Sequence, residues 1–342
     1  MRKKSYIVLI GIICLSLAIS IIPVMDAHAK AKGKVYKWRF FVSYPPGMFP
    51  ILPSYPKMIK KATNGQLDIK LFFFGEHPYK GSEIMAAIRD QMCQMGEIEA
   101  AYYAGSEPVL SLTGGPLLAA NAEVMFEMHK ALLKAGILDS IYKKYNMFEA
   151  AYWTWWGPSI SCVDTLVTRI DSLKGKKIRV PTKQYADMVS WLGGTPVTIS
   201  WGEVYTALQR GIMDGATGAL CAQRDSKWPE VCKYYTRWAQ AFGVDRVGVN
   251  KDAFEELPAD VQEAFLKVTK EFEIMQRKRI ERDDALATID VMHRNGVTVT
   301  AMPPAVLKEL RERTPSYLKK WAESVGKGLP EAVSVVNKVR DW

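Results

Sequence analysis

The sequence is poor in the residue types that carry most enzyme chemistry. It holds four histidines and five cysteines in 342 residues. His28, His77, His129 and His293 lie far apart, with no Ser or Cys placed to make a nucleophile–base pair. No C-x-x-C occurs and no Cys or His stands at metal-ligand spacing, so a zinc site is not expected. The strand–turn–helix serine motif G-x-S-x-G, the zinc-protease H-E-x-x-H and the phosphate-cradling G-x-x-x-x-G-K-[ST] are all missing. Glu97 and Glu99, at alternate positions on an expected strand edge, are a weak basis for paired-carboxylate chemistry. There is no internal repeat, no low-complexity segment and, beyond the first two dozen residues, no stretch apolar enough to span a bilayer. These absences favour binding over catalysis, with no cofactor.

What is present begins with the amino terminus. Arg2, Lys3 and Lys4 precede a nearly unbroken apolar run from Ile7 to Val24, and Ala27-His28-Ala29 puts small residues where a signal peptidase reads. Residues 1–29 are expected to be a cleaved secretory signal, which places the mature chain in the periplasm. The rival is an uncleaved anchor, because the run approaches the ~18 residues that span a membrane. The formal charge is +10, but it is scattered. The densest basic run, residues 276–282, is followed at once by Asp283 and Asp284, which suits a solvated helix face. With export, this argues against nucleic acid as a partner. Cys221 and Cys232 either pair in an oxidising compartment or stay as buried thiols; the spacing leaves both open. Aromatics are plentiful (Trp 10, Tyr 15, Phe 12), and such rings are over-used where ligands are gripped.

Short strand-like runs alternate with helical ones. Residues 37–42, 67–72 and 98–103 read as strands, with helices over 51–62 and from Ser82 to Gly96. The rhythm restarts with a strand at 177–180, a helix over 184–192, a short strand at 195–197 and a helix opened by the capping box Ser200-Trp201-Gly202-Glu203. A further strand starts at Met213. Two α/β units with open, parallel sheets imply a bilobal α/β protein whose cleft lies beyond the carboxyl ends of the strands. Residues 259–293 contain no Pro or Gly and predict a helix on the order of 50 Å long, enough to brace both lobes. The boundaries expected are 34–156 with 245–285 for lobe I, and 157–244 with 286–342 for lobe II.

Two blocks carry a family resemblance: Leu173-Lys174-Gly175-Lys176-Lys177-Ile178-Arg179-Val180-Pro181, and Ser200 through Gly215, which reads S-W-G-E-V-Y-T-A-L-Q-R-G-I-M-D-G. Linked by Gly193-Gly194-Thr195-Pro196-Val197, and with Phe74-Gly75-Glu76 and Gly81-Ser82-Glu83 upstream, the chain resembles the dicarboxylate-binding type of solute-binding protein of TRAP (tripartite ATP-independent periplasmic) transporters. The resemblance implies a periplasmic-binding-protein-like fold of two hinged lobes that closes on an organic acid and delivers it to a membrane permease. It puts Arg179 on the ligand carboxylate, a role that a planar guanidinium suits. It puts Trp201 where the family often has a Phe against the ligand.

The departures are informative. A second family arginine would fall near Ser159, and the Asn expected after the Asp-Gly strand is Gly218, beside Thr217. With Trp155 and Trp156 near, the pocket is expected to be wider and less polar, suited to a monocarboxylate with an aromatic or apolar body. The opposing reading makes the rings core and the ligand a small 2-oxo or hydroxy acid. Trp153 and Trp155 share one strand face and Trp156 the other. Strand-end positions add Tyr44, Glu76 and Tyr103 as ligand contacts, and Phe242 as a further wall. A sensor that feeds a membrane kinase is the other functional class.

Overall fold

The computed structural model describes residues 33–340 apart from 45, 156–157, 200, 239–241 and 327. The expected signal segment, Trp156 and the Ser200 half of the capping box lie outside the described residues. Among those described, no helix is long and apolar enough to cross a membrane.

The strands are β1 (Tyr36–Phe41), β2 (Leu67–Phe72), β3 (Met95–Glu99), β4 (Met147–Trp155), β5 (Pro158–Cys162), β6 (Lys177–Arg179), β7 (Thr195–Val197), β8 (Gly215–Ala219), β9 (Tyr234–Arg237), β10 (Gly243–Asn250) and β11 (Thr298–Ala301). The helices are α1 (Tyr55–Ala62), α2 (Ile84–Arg89), α3 (Ala122–Lys134), α4 (Asp139–Lys144), α5 (Lys183–Trp191), α6 (Trp201–Gln209), α7 (Leu220–Asp225), α8 (Lys251–Glu255), α9 (Ala259–Asn295), α10 (Pro304–Val325) and α11 (Leu329–Asn337). They build two sheets, ordered β2-β1-β3-β10-β4 and β11-β9-β5-β8-β6-β7.

The sheets are mixed, where the sequence rhythm predicts parallel ones. β1, β2 and β3 run parallel, but β10 inserts antiparallel between β3 and β4. In the second sheet β5 runs antiparallel to both β8 and β9. β5 and β10 both follow directly from a strand of the other sheet, β4 and β9, so each of these connections carries the chain from one lobe to the other. β3, flanked on both sides, is an interior strand and not an edge.

The long helix forms as its uninterrupted sequence predicts and stops where Gly296 turns left-handed at φ 59°. Val261, Phe265, Val268 and Phe272, spaced three and four apart, pack into the core of the first lobe with Trp38 and Trp153. Further along, Val291 joins the core of the second lobe with Val204 and Trp228. A second helix also crosses. In α10, Val306 and Leu310 pack with the second lobe, whereas Leu318, Trp321 and Ala322 pack with the first, together with Leu329, Ala332, Val333 and Val336 of α11. The tail expected in lobe II is therefore shared: 22 residues of α10 reach about 33 Å, enough to return to the first core.

Cys93, Cys162 and Cys232 are buried thiols, and the structure forms no Cys221–Cys232 disulfide. Burial pushes the thiols of Cys93 and Cys232 up to about 12. Trp153 has no solvent exposure and meets Phe49 and Phe272 edge-on, with ring centres 5.9 and 6.3 Å apart. It is core, not cleft. Replacing it with Ala leaves a large void, and a loss of about 3–5 kcal/mol is expected in urea unfolding.

Candidate functional site

Between the two sheets lies a cavity lined by Tyr44, Met48, Glu99, Ala101 and Tyr102 from the first lobe and by Arg179, Pro181, Tyr185, Trp201, Thr217, Gly218, Ala219 and Ala222 from the second. Its volume, measured to the centre of a water-sized sphere, is about 40 Å³.

Arg179 ends β6, whose parallel neighbours β7 and β8 bring carbonyls to its guanidinium. Nε donates to the Ile199 carbonyl at 3.3 Å and Nη1 to the Thr217 carbonyl at 3.2 Å. The guanidinium lies 5.4 Å from the ring centre of Trp201 and is 4% exposed. No carboxylate of the described residues pairs with it, and Nη2 donates to none of them. Burial lowers the Arg179 pKa, with partial relief from Tyr102 and Tyr44. The other buried arginine, Arg246, is by contrast engaged: its Nε lies 3.4 Å from Glu149, which His129 also meets at 2.7 Å. An isolated buried cation costs several kcal/mol unless an anion comes to it.

Trp201 opens α6 and is held on three sides. Its Nε1 donates to Ser226 Oγ at 2.8 Å, and Trp228 stacks on it with ring centres 4.5 Å apart. The third side is Gly218. A Cβ there would sit 2.8 Å from two Trp201 ring carbons, so the indole occupies the place of a side chain at 218. The Trp and the Gly are thus one feature: a large ring in α6 requires no side chain on β8.

The first-lobe wall is acidic. Glu97, Glu99 and Asp245 are 0–1% exposed, and Asp245 stands directly across from Glu99 on β10. Glu97 Oε2 accepts from the Ser43 amide at 2.9 Å. Glu99 Oε1 accepts from the Ala101 amide at 2.9 Å, and its Oε2 accepts from the Tyr44 hydroxyl at 3.5 Å. No N–H or O–H of the described residues reaches either oxygen of Asp245 or Oε1 of Glu97. Buried carboxyls in such a group bind one another only by sharing protons. Burial pushes Glu97 up to about 8 and, with Glu99 and Glu97 beside it, holds Asp245 well above the usual carboxylate range.

Five of the sequence-selected residues, Arg179, Trp201, Thr217, Gly218 and Tyr44, meet at this cavity. Of the others, Trp156 lies outside the described residues, and Ser159, Glu76, Phe242 and Tyr103 stand apart for identifiable reasons. Ser159 is one strand away on β5, opposite Gly218, where its Oγ accepts from Gln223 Nε2 at 3.1 Å. Glu76 is exposed and turns back to accept from the Phe73 amide at 2.8 Å. Phe242 packs in the first-lobe core with Val244 and Phe41. Tyr103 was expected to end the third strand. That strand stops at Glu99, and residues 100–103 form a 3-10 turn. The turn rotates Tyr103 into the core, where its hydroxyl accepts from the Met85 amide at 3.0 Å and donates to the Gly81 carbonyl at 2.7 Å. Tyr102 takes the cavity position instead. Glu99, Tyr102 and Tyr185 were missed as lining residues; the signal for the first two was the end of β3, misplaced by four residues.

Two outcomes follow from this geometry. Gly218→Ala should cost about 1–3 kcal/mol by overpacking, and Trp201→Phe in the same chain should recover most of it; a double-mutant cycle in urea reads the coupling. For pH, the raised carboxyl of Glu97 keeps its proton in the folded chain and loses it when unfolded. Stability is therefore highest below the ordinary glutamate value of 4.5 and falls as pH rises through about 8. Glu97→Gln should flatten that part of the unfolding curve.

A family model described as bacterial extracellular solute-binding protein, family 7 (DctP), matches residues 52–324. The monocarboxylate 2-oxoacid-binding periplasmic protein of Nostoc sp. is 27% identical over 252 residues, 69% of this chain and 65% of that protein. This chain thus spans just under two thirds of that relative's length. The C4-dicarboxylate-binding periplasmic protein DctP of Rhodobacter capsulatus is 27% identical over 275 residues, 77% of each chain. In fold, the chain is similar to DctP6 of Bordetella pertussis, an extracytoplasmic solute receptor binding pyroglutamic acid. The TM-score is 0.79 at 24% identity, covering 89% of this chain and 100% of that one. With two mixed sheets around a buried arginine and a family match over most of its length, the chain belongs to the bacterial extracellular solute-binding protein family 7, the solute-binding proteins of TRAP transporters.

Proposed function

We propose that this protein is a periplasmic receptor that closes over one small organic acid and hands it to a TRAP membrane permease, without chemistry on the solute. The observation that carries the reading is Arg179: a buried guanidinium at an interlobe cavity, with Nη2 unused and no carboxylate partner among the described residues. A solute carboxylate supplies the missing anion and a charge-assisted hydrogen bond. Because the cavity walls come from both lobes, the solute bridges them and favours the closed form.

The cavity favours the smaller of the two ligand classes. A sphere of 40 Å³ enlarged by the radius of water and filled at interior density takes on the order of ten non-hydrogen atoms. That suits a 2-oxo acid, a hydroxy acid or a small cyclic acid better than an indole carboxylate, and Trp153 adds no aromatic wall. Of the three relatives named above, one binds monocarboxylate 2-oxo acids and one pyroglutamic acid, which supports this size, while the third binds C4 dicarboxylates. Glu99, which lines the cavity, disfavours a second carboxylate on the solute, and this supports a monocarboxylate.

Thermal-shift screening of the mature protein tests this. Short monocarboxylates should raise Tm and indole carboxylates should not. Arg179→Ala should lose about 1.5–3 kcal/mol of binding, roughly ten- to a hundredfold in Kd, for every acid that shifts the wild type. Unchanged affinity would place the carboxylate elsewhere.

A further inference from the structure

Of the buried polar side-chain atoms that have no hydrogen-bond partner among the described residues, one belongs to a residue lining the cavity: the hydroxyl of Tyr185. Its surroundings explain how it got there. Thr182 caps α5 with its Oγ1, which accepts from the Tyr185 amide at 3.5 Å and fixes the first turn. The Tyr185 ring has no solvent exposure and meets Trp238 edge-on with ring centres 6.0 Å apart, in a core with Val180 and Trp238. A phenylalanine would fill that core equally well. The hydroxyl is what the core does not need, and a buried hydroxyl without a partner is costly to leave so.

Arg179 and Tyr185 both belong to the second lobe, at the end of β6 and in the first turn of the helix that follows it. Both residues line the same small space, Arg179 with Nη2 unused and Tyr185 with a hydroxyl that has no partner among the described residues. The groups that face Tyr185 from the other side are Glu99, Tyr44 and Tyr102 on the first-lobe wall. The Glu99 carboxylate and burial together hold the Tyr185 phenol well above its ordinary pKa, so it stays a neutral O–H donor.

We propose that the Tyr185 hydroxyl is a solute-binding group, which donates a hydrogen bond to an oxygen that the acid carries besides its carboxylate: an oxo, hydroxyl or ring-amide oxygen. Resting on the receptor reading above, this narrows the solute from any small monocarboxylate to one with a second acceptor oxygen. A site built to bond that oxygen discriminates against the analogue without it, because the buried hydroxyl is then left unpaired.

Calorimetric titration of wild-type protein and Tyr185→Phe with two matched pairs tests the assignment: 2-oxobutanoate against butanoate, and L-pyroglutamate against cyclopentanecarboxylate. The wild type should prefer the oxygen-bearing member of at least one pair by tenfold or more. Tyr185→Phe should lose that preference through weaker binding of the oxygen-bearing member alone, with the ligand-free Tm unchanged or raised. A preference retained by Tyr185→Phe overturns the assignment while leaving the receptor reading intact. A wild type that binds none of the four, or binds both members of each pair alike, overturns it as well, and binding to none of the acids tested by thermal shift also removes the receptor reading. As a second measurement, 3-fluorotyrosine at position 185, a stronger donor, should tighten the oxygen-bearing member only; no change counts against the assignment.

Discussion

A guanidinium with nearly all of its surface withdrawn from water, and no carboxylate among the described residues to meet it, is the constraint around which this molecule is arranged. Arg179 is tolerated because β6 ends beside two backbone carbonyls and because Trp201 lays an aromatic face near its charge. Those contacts orient the group and lower the cost of burial without neutralising it. Trp201 in turn depends on Trp228 and Ser226 behind it and on Gly218 beside it, so one indole links the helix α6, the strand β8 and the charge. The second lobe is in this sense built backwards from a cation.

The first lobe answers with the opposite sign. Its wall holds three carboxyls that are too close and too dry to ionise together, so the wall presents less than its formal charge. Tyr44 binds Glu99 and lies against Tyr102, with ring centres 6.2 Å apart, which puts a layer of phenols between the acids and the guanidinium. The polarity across the cavity is therefore graded and not a salt bridge. A direct bridge between Glu99 and Arg179 would hold the lobes shut with nothing inside.

Much of this was legible in the residues. The two α/β rhythms, the long helix without Pro or Gly, and Arg179 at the end of a strand all follow from local patterns that tertiary packing reinforces. The direction of the strands was not, because an antiparallel strand inserted from the other half of the chain leaves no local trace of its orientation: β10 reads as any buried strand. The carboxyl-terminal part from Leu318 on packs across the cleft from the side expected, since Leu310 and Leu318 look alike in sequence and differ only in which core they enter. Tyr103 and Tyr102 exchanged roles because a single 3-10 turn reverses which neighbour faces the cleft. Glu99 stood in plain view as a strand acid, but its partner Asp245 is 146 positions along the chain, and nothing short of the sheet register brings them together.

The four passages of the chain between lobes, through β4–β5, β9–β10, α9 and α10, have a consequence for timing. Two of these passages are continuous helices, which resist stretching and sliding and yield mainly to bending. The lobes can part by rotation but cannot shear past one another without breaking helical hydrogen bonds. Since Arg179 and Glu99 at the cavity are almost wholly buried, a molecule held between them is hard to compete away from its contacts unless the lobes part. On the receptor reading, its residence time is set by how often the helices flex, not by the strength of its contacts alone.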